Sequence, residues 1–107
     1  MQIQINTANN VEGREALTGQ LERDVRSSLS RFEDRLTRVE LHIGDQDGPG
    51  RGGADKRCVI EARPSGLAPV TVTDEAGSIS QATSGALDKL VTALDRTFGK
   101  LSDRKGH

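Results

Sequence analysis

Lys89, Arg96, Lys100 and Arg104 follow one another at steps of seven, four and four residues near the end of the chain. At roughly 100° per residue such steps return to one side of a helix. A line of ammonium and guanidinium groups suits one kind of chemistry, the holding of successive anionic oxygens along a polyphosphate backbone. A solvated helix surface, with cations favoured near its C-terminus by the helix dipole, has the same appearance. The residues of this helix do not choose between the two readings. Asp88 and Asp95 fall together on the opposite flank, so the helix has a basic edge and an acidic edge.

Other reactive side chains are sparse. His42 belongs to the polar side of a strand pattern and His107 is the last residue. Cys58 falls on the apolar side of a strand, the environment of a small buried hydrophobe rather than of a reactive thiolate. One Cys and one ordered His at unrelated spacing do not make a metal site. The run Gly48-Pro-Gly-Arg-Gly-Gly53 lacks the Gly-Lys-Ser/Thr ending of a phosphate loop, and it joins strand to strand rather than strand to helix. No nucleophile, base and electrophile-stabilising group can meet, so we expect a protein that is not an enzyme and needs no metal or cofactor.

The elements that must position the basic line can be read from periodicity. Ile79, Ala82, Ala86, Leu87, Leu90, Leu94, Phe98 and Leu101 recur at three- and four-residue steps and predict a helix from Ile79 to about Asp103. Ser78 and Gln81 form a capping box at its start. Gly85 and Gly99 lie inside this helix, off its apolar stripe, where each costs about 1 kcal/mol against alanine; a close approach of another backbone would suit them. Residues 1–6 alternate, with Ile3 and Ile5 on one face, and predict a strand. Leu17, Leu21, Val25, Leu29 and Phe32 predict a first helix from Arg14 to about Glu33, with Asn10 or Gly13 as cap and a favourable Glu22–Arg26 pair. Three strand patterns follow: 38–43 with Val39, Leu41 and Ile43 inward, 57–63 with Cys58, Ile60 and Ala62 inward, and a fourth around Val70 and Val72.

Strand, helix, three strands, helix is an α+β order. The crossover makes strands one and two parallel neighbours, strands two to four form an antiparallel meander, and both helices cover one face of a four-stranded mixed sheet. The other face is left polar by Gln2, Gln4, Arg38, Glu40, His42, Arg57, Glu61, Arg63 and Thr71.

The 107 residues suit one domain with a modest core. We expect that single domain to span 1–107, with a glycine-rich loop at 44–55 and a frayed tail at 103–107. No stretch approaches the roughly 18 apolar residues of a membrane span, and no leader pattern precedes a cleavage site. With a single cysteine, these features predict a soluble, cytoplasmic protein. Fifteen basic and sixteen acidic residues give a formal charge of −1, so any nucleic-acid partner must be held by local patches. Phe32 and Phe98 are the only aromatics and both sit on apolar stripes, which argues against base stacking.

The Met-Gln-Ile opening, Val11-Glu12 before the first helix, and above all Ala86-Leu-Asp-Lys-Leu-Val-Thr-Ala-Leu-Asp-Arg-Thr-Phe-Gly-Lys-Leu101 carry a further signal. Over nearly its whole length the chain resembles the ribosome hibernation factors, the short hibernation-promoting and ribosome-associated inhibitor proteins also described as sigma-54 modulation proteins. Arg57-Cys-Val-Ile-Glu-Ala-Arg63 is similar to a proteobacterial branch of that family. The resemblance implies a β-α-β-β-β-α fold like the double-stranded-RNA-binding domain. It also implies binding to the small ribosomal subunit in the decoding channel, where messenger and transfer RNA are blocked and idle ribosomes are silenced in stress or stationary phase. Arg96 and Lys100 match the family's phosphate-contacting pattern directly. Lys89 and Arg104 share their strip, and Arg23, Arg26 and Arg31 are looser matches on the first helix. Ala93 stands where the family usually has a lysine, which shortens the strip by one contact. The implied partners are the small subunit and its ribosomal RNA, with no membrane and no small-molecule substrate. From another class, the alternative is a protein-interaction or regulatory module that keeps the fold without binding ribosomes.

Overall fold

Alternation of apolar and polar residues sets the strands, and the three-to-four step sets the helices. The computed structural model describes residues 1–7, 14–45 and 55–105, with the backbone alone at 14, 45 and 100–105. It comprises β1 (Gln2–Thr7), α1 (Arg14–Ser28), a 3-10 helix (Ser30–Arg35), β2 (Leu36–Asp45), β3 (Lys56–Pro64), β4 (Val70–Ala76) and α2 (Ile79–Lys105). The expected α+β architecture is the one found.

The strands lie in the order β1-β2-β3-β4. β1 runs parallel to β2, with Ile3 opposite Val39 and Ile5 opposite Leu41. β2 and β3 are antiparallel, pairing Leu41 with Ile60 and Ile43 with Cys58. β3 and β4 continue the meander through Ile60–Val72 and Ala62–Val70. This register brings the apolar members of every strand to one face. There they meet Leu21, Val25 and Leu29 from the α1 side and Ala82, Ala86, Leu90 and Leu94 from α2, all buried. Each such leucine or valine contributes about 1.5–3 kcal/mol by leaving water and each alanine less, which is what holds the helices to the sheet.

Between β3 and β4 the chain turns at Pro64–Leu67, where the Leu67 amide donates to the Pro64 carbonyl at 3.2 Å. Gly66 sits there at φ 74°, in the left-handed region that an L side chain rarely adopts.

Several boundaries differ from the expected ones; β2, for instance, spans Leu36–Asp45 instead of 38–43 and takes in the start of the expected glycine-rich loop. The first helix ends at Ser28 instead of near Glu33, and a 3-10 helix takes over, with the Phe32 amide donating to the Leu29 carbonyl at 2.9 Å. Ser27 and Ser28 are poor helix-interior residues, and the tighter winding carries Phe32 into the core beside Phe98. β4, expected around Val70 and Val72, reaches Ala76, so Asp74 is a strand residue opposite Cys58. α2 continues to Lys105, beyond the expected end at Asp103. Most of the glycine-rich loop, the candidate caps Asn10 and Gly13, and residues 106–107 lie outside the described residues. No helix among the described residues is long and apolar enough to cross a membrane.

Candidate nucleic-acid interface

α2 is fixed at both ends of its packing face. At its start the Gln81 amide donates to Ser78 Oγ at 3.1 Å, the first half of the capping box. Along its length Ala82, Ala86, Leu90, Leu94 and Phe98 are buried against the sheet. Its outward surface is therefore set in rotation, and Asp88, Lys89, Thr92, Ala93 and Arg96 line one shallow hollow there. Lys89 and Arg96 are brought together as the seven-residue spacing requires. The helix backbone continues through Lys100 and Arg104, whose side chains lie outside the described residues.

The two cations of the hollow differ in availability. Lys89 Nζ donates to the Thr73 carbonyl at 2.9 Å and to Asp74 Oδ1 at 3.1 Å, so it is tied to the neighbouring strand. Arg96 is exposed and has no ion pair or hydrogen bond among the described residues. Two threonines on this helix turn inward to their own backbone, Thr92 Oγ1 donating to the Asp88 carbonyl at 3.1 Å and Thr97 Oγ1 to that of Ala93 at 3.0 Å. Their protons are not offered to a ligand. Arg96 is the ready anion-binding group of the described strip.

Of the acidic flank, Asp88 borders the hollow, while Asp95 faces the 3-10 helix, which carries Arg31. Asp95 Oδ2 holds Arg31 at 2.7 Å, and the Arg31 guanidinium also lies 4.7 Å from the centre of the Phe32 ring. Arg35 covers the other ring, 3.8 Å from the centre of Phe98, and the two rings are 5.6 Å apart. Arg35 is not among the residues expected from sequence, since it lies between the first helix, expected to end at about Glu33, and the strand expected at 38–43. Its position three residues after Phe32, the first of only two aromatics, was the available signal.

The remaining candidates on α1 do not join the α2 strip. Arg26 pairs with Glu22 at 3.2 Å, as the i,i+4 spacing predicted, and approaches Glu33 at 3.9 Å. It lines a hollow with residues Met1–Gln4 and Arg38, at the β1 edge of the molecule. Arg23 donates to Gln20 at 3.1 Å on the exposed side of α1.

The uncovered sheet face is closed within itself. Glu40 accepts from Arg38 at 2.7 Å and lies 3.3 Å from His42 Nε2, Arg38 also donates to Gln4, and Arg63 pairs with Glu61 at 3.1 Å. Arg57 is exposed there without a partner among the described residues.

Cys58 is fully buried beneath α2, and burial pushes its thiol up to about 11. The Thr83 hydroxyl beside it opposes the rise and the Asp74 carboxylate adds to it. Thr83 Oγ1 is buried without a partner of full hydrogen-bond geometry, so its influence on the sulfur is a weak contact. No cluster of three metal-ligating side chains occurs among the described residues.

A mixed four-stranded sheet backed on one face by two helices, with cations on the outward side of the second helix, is the class of structure so defined. Among solved structures the fold alone, the sheet and its two helices, is shared by a ribosomal subunit interface protein from Coxiella burnetii, at a TM-score of 0.71 and 17% identity, over 92% of this chain and 99% of that one. The N-terminal domain of Protein Y from Thermus thermophilus is similar at a TM-score of 0.71 and 21% identity, over 91% and 99%. At such identities the likeness is one of fold, and it is the fold that the resemblance to the hibernation factors implied. No protein-family model matches the chain, and no curated protein is significantly similar to it.

Proposed function

We propose that the chain is a ribosome-associated inhibitor of translation that binds the small subunit in the decoding channel and sterically blocks messenger and transfer RNA. The observation that carries this reading is the fold, shared over nearly the whole chain with a protein named for the ribosomal subunit interface and with a Protein Y domain. The outward side of α2 would meet ribosomal RNA, with Arg96 as its first phosphate contact and Lys100 and Arg104 extending the line by helical geometry. Lys89 would contribute after exchanging Asp74 for a phosphate, and Arg23 from the exposed side of α1. Arg26 and Arg31, both already ion-paired, would contribute least. Affinity would come from released counterions and selectivity from the shape of the channel, with no covalent chemistry and no cofactor. Such a protein works in the cytoplasm.

Cosedimentation with isolated small subunits and vacant ribosomes across a salt series tests this. The expected result is saturable binding that weakens steeply with salt and is displaced by messenger and initiator transfer RNA. Absence of binding at low salt would overturn it.

A second reading, that of a protein-interaction module, is favoured by the charge pairing of the open sheet face. Arg38, Glu40, His42, Glu61 and Arg63 neutralise one another there and leave a polar surface suited to a protein. If that contact is mostly apolar, binding would depend little on salt, unlike binding to RNA phosphates.

A further inference from the structure

The two edges of the sheet are built differently. β4 carries Asp74 and Glu75, follows Pro69 and packs along α2, all devices that discourage pairing with another strand. β1 also packs on a helix, α1, but it lacks the charges and the proline. Its sequence Gln-Ile-Gln-Ile-Asn-Thr holds no charge and no proline, and its register with β2 runs from Gln2–Arg38 to Thr7–Ile43 without a bulge. The core is only partly closed at this edge, where Met1, Ile3, Ile5 and Leu17 are half-buried, as Val70, Val72 and Ala76 are at the β4 edge.

We infer that β1 is a docking edge for the β1 strand of a second copy of this chain, the two strands pairing antiparallel about Gln4. The pattern of the strand is self-complementary in that register and face. A two-fold axis at Gln4 sets Ile3 against Ile5 of the second copy and Gln2 against Asn6, so apolar residues continue the helix-covered face and amides the open one. Shifting by one residue would oppose isoleucine to glutamine. Charge agrees with the same arrangement. The hollow at the Met1 end of β1 is lined by Arg26 and Arg38, and the hollow at the Thr7 end by Glu15. Antiparallel pairing brings the arginine end of each copy to the Glu15 end of the other. Arg26 and Arg38 already hold Glu22 and Glu40, so this attraction orients the approach while the strand backbone and the isoleucines bind. The result is a continuous eight-stranded sheet, and it leaves the outward side of α2 open.

Sedimentation equilibrium of the full chain from about 1 µM to about 1 mM reads the pairing directly. The wild type is expected to show a concentration-dependent dimer. Gln4→Lys and Gln4→Glu each place two like charges at the axis and should each weaken it by about fivefold, because directly opposed like charges disfavour pairing. Mixing the two variants should restore the dimer, which separates lost pairing from lost folding. A wild type that stays monomeric, a dimer that either single variant leaves intact, or a mixture that fails to recover would each overturn the inference.

Discussion

The carboxylate of Asp74, in β4, lies directly over the bare Cα of Gly85 in α2. A methyl group added at Gly85 would stand 2.8 Å from Asp74 Cγ and nearer still to Oδ2. A glycine inside a helix thus makes room for a strand carboxylate, and that carboxylate in turn receives Lys89 one helical turn further on. Gly99, in the same helix, has nothing among the described residues, its own helix backbone aside, within 4 Å of where its methyl group would be.

The two glycines should therefore respond oppositely to alanine. Gly99→Ala is expected to stabilise the protein by about 1 kcal/mol, the difference in helix propensity. Gly85→Ala is expected to destabilise it by about 1 kcal/mol or more, since overpacking outweighs that gain. In an Asp74→Ala background, Gly85→Ala should become stabilising. Urea unfolding of the four single and double variants measures all of this in one cycle.

Arg96 is expected to matter for binding and not for folding. Arg96→Glu should leave stability within about 0.5 kcal/mol, as for an exposed side chain without partners. It should greatly weaken cosedimentation with ribosomes, while the milder Arg96→Ala should lower the slope of log affinity against log salt by about one. Thermal unfolding and the salt series distinguish these outcomes from a general loss of structure.

Arg31 is a cation held back by its partner. Asp95→Asn removes the 2.7 Å ion pair and one negative charge from the outward side of α2. Ribosome binding should become tighter and more salt-dependent, at a stability cost of no more than about 1 kcal/mol for an exposed pair. Unchanged binding would separate Arg31 from the RNA surface.

Cys58 should make stability fall at alkaline pH. Its folded thiol is raised from 9.0 to about 11, chiefly by burial, so the unfolded state loses its proton first. The contribution is fully present below about pH 9 and is lost as pH rises from there to about 11, amounting to roughly 2–3 kcal/mol at most. Denaturation of wild type and Cys58→Ala between pH 8 and 11 isolates it, because the variant lacks this titration. The native thiol should also resist alkylation at pH 8 until denaturant is added.

Much of the fold was legible from side-chain period. Val39, Leu41 and Ile43 alternate because one sheet face is buried, and that alternation fixes the register with Cys58, Ile60 and Ala62. The stripe from Ala82 to Phe98 is continuous because α2 lies flat on the sheet. The candidate site was legible only in outline. Spacing put Lys89 and Arg96 on one side of a helix, but partners far apart in the chain decide what each can do. Asp74 reaches Lys89 across 15 residues, and Asp95 reaches Arg31 across 64. Gly85 stands out as costly in sequence, while its cause, Asp74, lies beyond Val72 on a strand whose end the apolar alternation does not mark. The early end of α1 escaped notice because Leu29 and Phe32 keep the spacing of a helix while the backbone between them tightens to 3-10.

The parallel placement of β1 beside β2 also has a consequence for how the chain assembles. From β2 onward each strand pairs with the one that follows it, and α2 packs on β3 and β4, the strands just before it. β1 alone must wait for a crossover through α1 before it has a partner, and loop closure over that distance costs entropy before any contact rewards it. The folding nucleus is therefore expected in β3, β4 and α2, with β1 zipping on late. Truncations at Ile60 and Leu90 should slow folding, whereas Ile5→Val should mainly speed unfolding, and a φ-value near one for Ile5 would contradict that order.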